Sequence, residues 1–174
     1  MILKGFKEKS KKNYINSQLK NRIIKEFNTK VASIGVVFNT DEINEIPDFN
    51  GLAQALGIEK EKVEVIAFKY RVEEKEKESL FNPTFSSKQI GWRGVIKDQT
   101  LQQFLNKEFD ILISYYKKDV TALKLITVAS KAKLKVGVLE TDERINDIII
   151  KTEINNFSTF TSEIKKYLNI LNKI

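Results

Sequence analysis

Lys4, Lys7, Lys9, Lys11 and Lys12 fall within nine consecutive positions, and lysines at that density attract phosphates or carboxylates by charge. With Lys20, Arg22, Lys25 and Lys30 they make nine basic residues in positions 1–30, against Glu8 and Glu26, a net of +7. The whole chain also carries +7, 30 basic against 23 acidic residues, so residues 31–174 hold 21 of each sign and are neutral. A neutral body behind a basic leader is the pattern of a domain that docks through its N-terminus onto an anionic macromolecule. RNA or a ribonucleoprotein, a membrane surface and an acidic protein all qualify. Lysine outnumbers arginine 26 to 4, a usage common in AT-rich genomes, so the clustering rather than the excess carries the argument.

Other chemistries are narrowed by what is missing. The chain has no Cys, which excludes disulfides, thiolate nucleophiles and Cys-ligated metal sites. It has no His, which removes the commonest general base and metal ligand. Catalysis would fall to carboxylates, Lys, Tyr or a bound cofactor, and no cofactor or metal site is expected. The first residues lack a signal-peptide core, no stretch approaches the roughly 18 apolar residues of a membrane span, and position 2 is Ile rather than Gly. A cytoplasmic protein is expected.

The hydrophobic pattern predicts the elements that position these residues. Ile15, Leu19, Ile23 and Phe27 recur every fourth residue within a helix spanning about 2–27, which is either packed on its own domain or free to reach a partner. Val31–Phe38 and Val63–Tyr70 read as buried strands, with a short helix over Phe49–Leu56 closed by Gly57. The all-charged tract Glu73–Glu78 reads as a solvated loop. Asp110–Tyr115, a helix from Val120 to about Ala132 capped by Asp119, and Leu134–Leu139 form a strand–helix–strand unit, which implies a parallel sheet. Asp147–Lys151 is a further short strand and Phe157–Leu171 a closing amphipathic helix. The expected fold is α/β: a single three-layer Rossmann-like domain with a mainly parallel sheet over 29–174, preceded by a basic amphipathic helix over 1–28.

Two further groups stand out. Trp92, the single tryptophan, lies in Gly91-Trp92-Arg93-Gly94; with Phe81 and Phe85 it either covers the core or, beside Arg93, forms an exposed anchor for a partner. The second group is set by the sheet, because open parallel sheets bind ligands beyond the carboxyl ends of their strands. The loops expected there, 39–45, 70–74, 116–119 and 140–144, contain no glycine, which argues against a phosphate cradle. Asp41, Glu42, Asp119, Asp142 and Glu143 could still meet on that edge, and Tyr115-Tyr116-Lys117-Lys118 reads as a basic–aromatic patch beside them.

From Phe81 to Ile150 the runs Phe-Asn-Pro, Gly-Trp-Arg-Gly, Phe-Asp-Ile-Leu-Ile, Ala-Ser-Lys-Ala-Lys-Leu-Lys-Val-Gly and Asn-Asp-Ile-Ile-Ile resemble a family of small uncharacterised α/β proteins from Bacteroidetes-type bacteria. Ser114 stands where members of that family often carry Asp. The strand–helix–strand segment is also faintly similar to the N-terminal domain of heptosyl-type glycosyltransferases, whose sugar-nucleotide domain has no room here. The resemblance implies a fold and no activity. The functional expectation is a non-catalytic binding module docking through Lys4, Lys7, Lys9, Lys11 and Lys12, with Trp92 and Arg93. The alternative is a small enzyme or ligand binder at the carboxyl edge, using Lys118, Asp119 and Asp142.

Overall fold

In the computed structural model, residues 2–22, 28–71, 83–138 and 140–174 are described. Six strands form one sheet: β1 (Ile34–Asn39), β2 (Val63–Phe68), β3 (Thr84–Phe85), β4 (Ile111–Tyr115), β5 (Leu134–Gly137) and β6 (Ile148–Ile149). Their order is β3-β2-β1-β4-β5-β6 and every pairing is parallel. This is the doubly wound arrangement, with strand order reversing between β1 and β4. The expected α/β, Rossmann-like sheet is therefore present, and it is parallel throughout.

β1 and β4 are buried along their whole lengths, which is why their sequences run apolar without alternation. Side chains still alternate between faces. Ile34, Val36, Phe38, Ile111, Ile113 and Tyr115 pack under α2 (Phe49–Ala55) and α5 (Phe157–Ile170). Val37, Leu112 and Tyr116 pack on the opposite face with α3 (Gln99–Asn106) and α4 (Thr121–Ala129). Two hydrophobic layers thus sandwich the sheet, giving the expected three layers. α3 was not anticipated from sequence; Asp98 starts it by accepting the Leu101 N–H at 2.9 Å, and Leu101, Phe104 and Leu105 are its buried face.

α1 (Ile2–Lys20) packs against α4 and the Trp92–Gly94 turn, with Ile15 buried and Tyr14 and Leu19 partly covered. The predicted helix is shorter than its pattern; Ile23 and Phe27, with the tract Glu73–Glu78 and Phe81, lie outside the described residues. Asp119 does not cap α4. Val120 holds the N-cap position without a side-chain bond, and Asp119 pairs instead with Lys124 one turn into the helix.

At the other end of α4, buried Lys135 projects from β5 and donates from Nζ to the Val128 carbonyl at 3.1 Å, capping the helix C-terminus. Burial, with Arg22 nearby, lowers its pKa from 10.5 to about 7, while Asp147 opposes the shift. Asp147 accepts from Arg22 at 2.5 Å and from the Lys135 N–H at 2.7 Å. Asp110 ties the amino ends of β1, β4 and β5 together. Its carboxylate accepts from the Ala32 N–H (2.9 Å), the Ser33 N–H (3.1 Å) and Lys133 (2.7 Å).

Two outcomes follow from this packing. A Cβ on Gly35 would lie 2.6 Å from the buried Phe109 ring, so Gly35→Ala should lower stability by about 1–3 kcal/mol, read as a lower urea midpoint with an unchanged m-value. Between about pH 7 and about pH 10 the unfolded chain holds the Lys135 proton and the native state releases it, so this group makes stability rise with pH. Urea unfolding at about pH 7.5 and about pH 9.5 should show that rise in the wild type and a smaller one in Lys135→Met.

Candidate functional site

The turn after β3 is built to hold an indole outward. Ile90 and Ile96 pair across it, Gly91 N–H donates to the Val95 carbonyl at 2.7 Å, and Val95 N–H donates to the Trp92 carbonyl at 3.0 Å. Closing so tight a loop requires left-handed backbone at Arg93 (φ 52°) and Gly94 (φ 74°). Glycine accepts this freely; the arginine does so at a cost of about 1–2 kcal/mol. α1 secures the turn. Ser10 Oγ accepts the Arg93 N–H at 2.9 Å, and Gly94 sits on the Tyr14 ring, where an added Cβ would be 2.7 Å from Cδ1.

Trp92 is consequently half exposed rather than part of the core. Phe85 is fully covered and meets Phe68 edge-on at 5.3 Å, so the two aromatics read together from sequence have opposite fates. Beside Trp92 runs a groove of ≈650 Å³ lined by Lys7, Lys88, Trp92, Val95, Lys97 and Asp98, among others. Lys88, Val95 and Lys97 are exposed. Lys7, Lys88, Arg93 and Lys97 form no ion pair among the described residues. The one carboxylate, Asp98, is already engaged at the N-terminus of α3.

The fold therefore brings Lys7 of the basic leader to Trp92 and Arg93, two candidates separated by about 85 residues in sequence. Lys9 and Lys12 are exposed on α1, and Lys4 lies in its first turn with its side chain outside the described residues. Lys11 corrects the expectation. It is 2% exposed and its Nζ donates to Glu8 Oε1 at 3.1 Å, because its position on the helix turns toward the body and only its charged tip reaches a partner. Lys88 and Lys97 were missed from sequence; their signal was their position on either side of the Ile90–Ile96 closure.

The carboxyl edge is organised differently. At the crevice between β1 and β4, Glu42 Oε1 accepts the N–H groups of Lys117 (3.0 Å) and Lys118 (2.7 Å), and Oε2 accepts from Asn39 Nδ2 (2.7 Å). The chain's own carboxylate thus takes the backbone donors an anion would use. Asp41 accepts the Tyr70 N–H at 2.7 Å. Asp119 and Asp142 both lie near Lys124, but Asp119 is paired with it and Asp142 is chelated by Arg144, whose hydrogen bond holds the Asp142 carboxyl below its usual range. Lys118 is exposed, its Nζ 3.4 Å from the Asp41 carbonyl.

The basic–aromatic patch expected at 115–118 does not form. Successive positions face opposite ways, so Tyr115 enters the α2–α5 core and donates to the Ile154 carbonyl, while Tyr116 enters the α3–α4 core and bonds Thr127 at 2.8 Å. Burial pushes Tyr115 up to about 12 and raises Tyr116 as well. Nearby, Ser114 Oγ donates to Asn146 Oδ1 at 2.7 Å and leaves Asn146 Nδ2 buried without a partner among the described residues. Among those residues, no group of three or more Asp or Glu is placed to hold a metal, and no helix is long and apolar enough to cross a membrane.

No curated protein and no solved structure matches this chain. Residues 7–171, from the docked helix through the Trp92 turn to the end of α5, match one family, and the chain belongs to it: the family of unknown function DUF6913.

Proposed function

We propose that the chain is a non-catalytic cytoplasmic binding module that docks an anionic macromolecule where α1 meets the Trp92 turn. The observation that carries this reading is the convergence of Lys7, Lys88 and Lys97 around half-exposed Trp92, with no ion-pair partner for any of them among the described residues. The net charge of residues 1–30 supplies long-range attraction toward this face, and the indole supplies short-range contact. The leader acts as part of a composite surface, since α1 is held by Ile15 and by Ser10 and Tyr14 beneath the turn.

Exposed charges act over about 8 Å at physiological salt, so binding should weaken steeply as salt rises. The triple substitution Lys7→Gln, Lys88→Gln, Lys97→Gln should reduce binding of the full chain to immobilised heparin by about tenfold or more at low salt while leaving its thermal melt unchanged. Lys11→Met is the contrast. Its charge is buried, so heparin binding should stay within about twofold of wild type and stability should be equal or slightly higher. Equal heparin binding by the triple variant, or no salt-sensitive binding by the wild type, would remove this reading.

A further inference from the structure

We propose that the groove beside Trp92 takes single-stranded nucleic acid, with a base on the open indole face and the adjoining phosphates on Lys7, Lys88 and Lys97; this rests on the docking reading above. Among the described residues no ring stacks on Trp92, whereas Phe38, Phe85 and Tyr115 are buried in ring contacts. Half of its surface faces solvent at the mouth of an open groove. Stacking needs a ring whose orientation is set in advance. The Gly91–Val95 bond, the left-handed Arg93 and Gly94, and the Ser10 and Tyr14 contacts to α1 provide that setting.

The charge complement is also that of a strand. Three lysines without ion-pair partners among the described residues line the same groove as the indole, matching a polymer that alternates anionic phosphates with flat bases. Lysines give point-charge attraction rather than bidentate readout, so binding should be tolerant of sequence. A duplex would hide its base faces from Trp92. A membrane surface fits less well, because an interfacial helix needs an outward apolar stripe. On α1, Ile15, Tyr14 and Leu19 turn toward the body and the exposed positions from Lys9 onward are Lys9, Lys12, Asn13, Asn16, Ser17 and Lys20; among the described side chains of the helix, Leu3 and Phe6 are the exposed large apolar ones. An acidic protein would satisfy the lysines but would have no group repeating in step with the ring.

Trp92 is the only tryptophan, so its emission reports on the site directly. The full chain would be titrated with oligouridine, oligothymidine, a duplex of equal length, inorganic polyphosphate, polyglutamate and vesicles containing phosphatidylserine. The expected result is quenching by the single strands, with affinity at least about fivefold above that for duplex or polyphosphate. Trp92→Leu should lose about 5–100-fold of single-strand affinity, measured by anisotropy of a labelled oligonucleotide, whereas Trp92→Phe should keep most of it. Lys97→Gln, with the tryptophan in place, should lower the salt slope for single strands by about 0.7. The uridine and thymidine arms distinguish RNA from DNA. If polyphosphate, polyglutamate or vesicles bind at least as tightly as single strands, or if Trp92→Leu binds single strands as well as wild type does, the nucleic-acid assignment falls and the anionic docking surface stands. If none of these polyanions binds, both fall together.

Discussion

The pairing of β1 with β4 governs the rest of the structure. Both strands are covered along their whole lengths, and both run parallel to each other and to their outer neighbours. A strand buried on two faces needs a helical layer on each, and parallel neighbours need crossovers that supply those layers. α2 and α5 on one side and α3 and α4 on the other answer that requirement. Where spacing is tightest, residue size is fixed as well. Gly35 admits the Phe109 ring, and Gly137 admits Ser114 and Asn146.

The same pairing places a ligand crevice at its carboxyl end, which is where sheets of this order commonly bind nucleotides. Here the crevice is closed from within. Glu42 occupies the Lys117 and Lys118 donors, and Asp41, Asp119 and Asp142 each have an internal partner. Apart from the buried Asn146 Nδ2, a cluster of groups with unspent interaction capacity lies elsewhere, at the junction of α1 with the Trp92 turn. A half-exposed ring, three lysines without ion-pair partners among the described residues and a strained Arg93 meet there. Such a surface suits attraction and stacking, which need no bond-making group.

Charge is used in two ways within one lysine-rich chain. Lys7, Lys9 and Lys12 keep solvent contact on α1 and contribute to an outward field. Lys11 and Lys135 are buried and serve structure, one by pairing with Glu8 along the helix and the other by holding the Val128 carbonyl in the last turn of α4. Counting residues cannot separate these roles. Lys11 differs from Lys12 by one position, about 100° around the helix, and that angle decides whether the ammonium meets water or protein.

The central strands were legible from sequence because continuous β-branched runs such as Val31–Phe38 have few other ways to be buried, and α2 and α5 because their apolar stripes and ends are local features. The charge asymmetry was legible for the same reason: it is a count along the chain. Tertiary structure alone decided the rest. α3 sits in a short polar segment whose helix depends on a buried face supplied by distant strands. The fates of Tyr115 and Tyr116 depended on sheet alternation, and that of Asp119 on Lys124 one turn away. The meeting of Lys7 with Trp92 required α1 to close over a turn some 85 residues distant. Local pattern determines which segments become strands and helices, since it reflects each residue's own preference for water or interior; a site determines itself only when the chain's long-range contacts set side chains from separate segments at a common distance and angle.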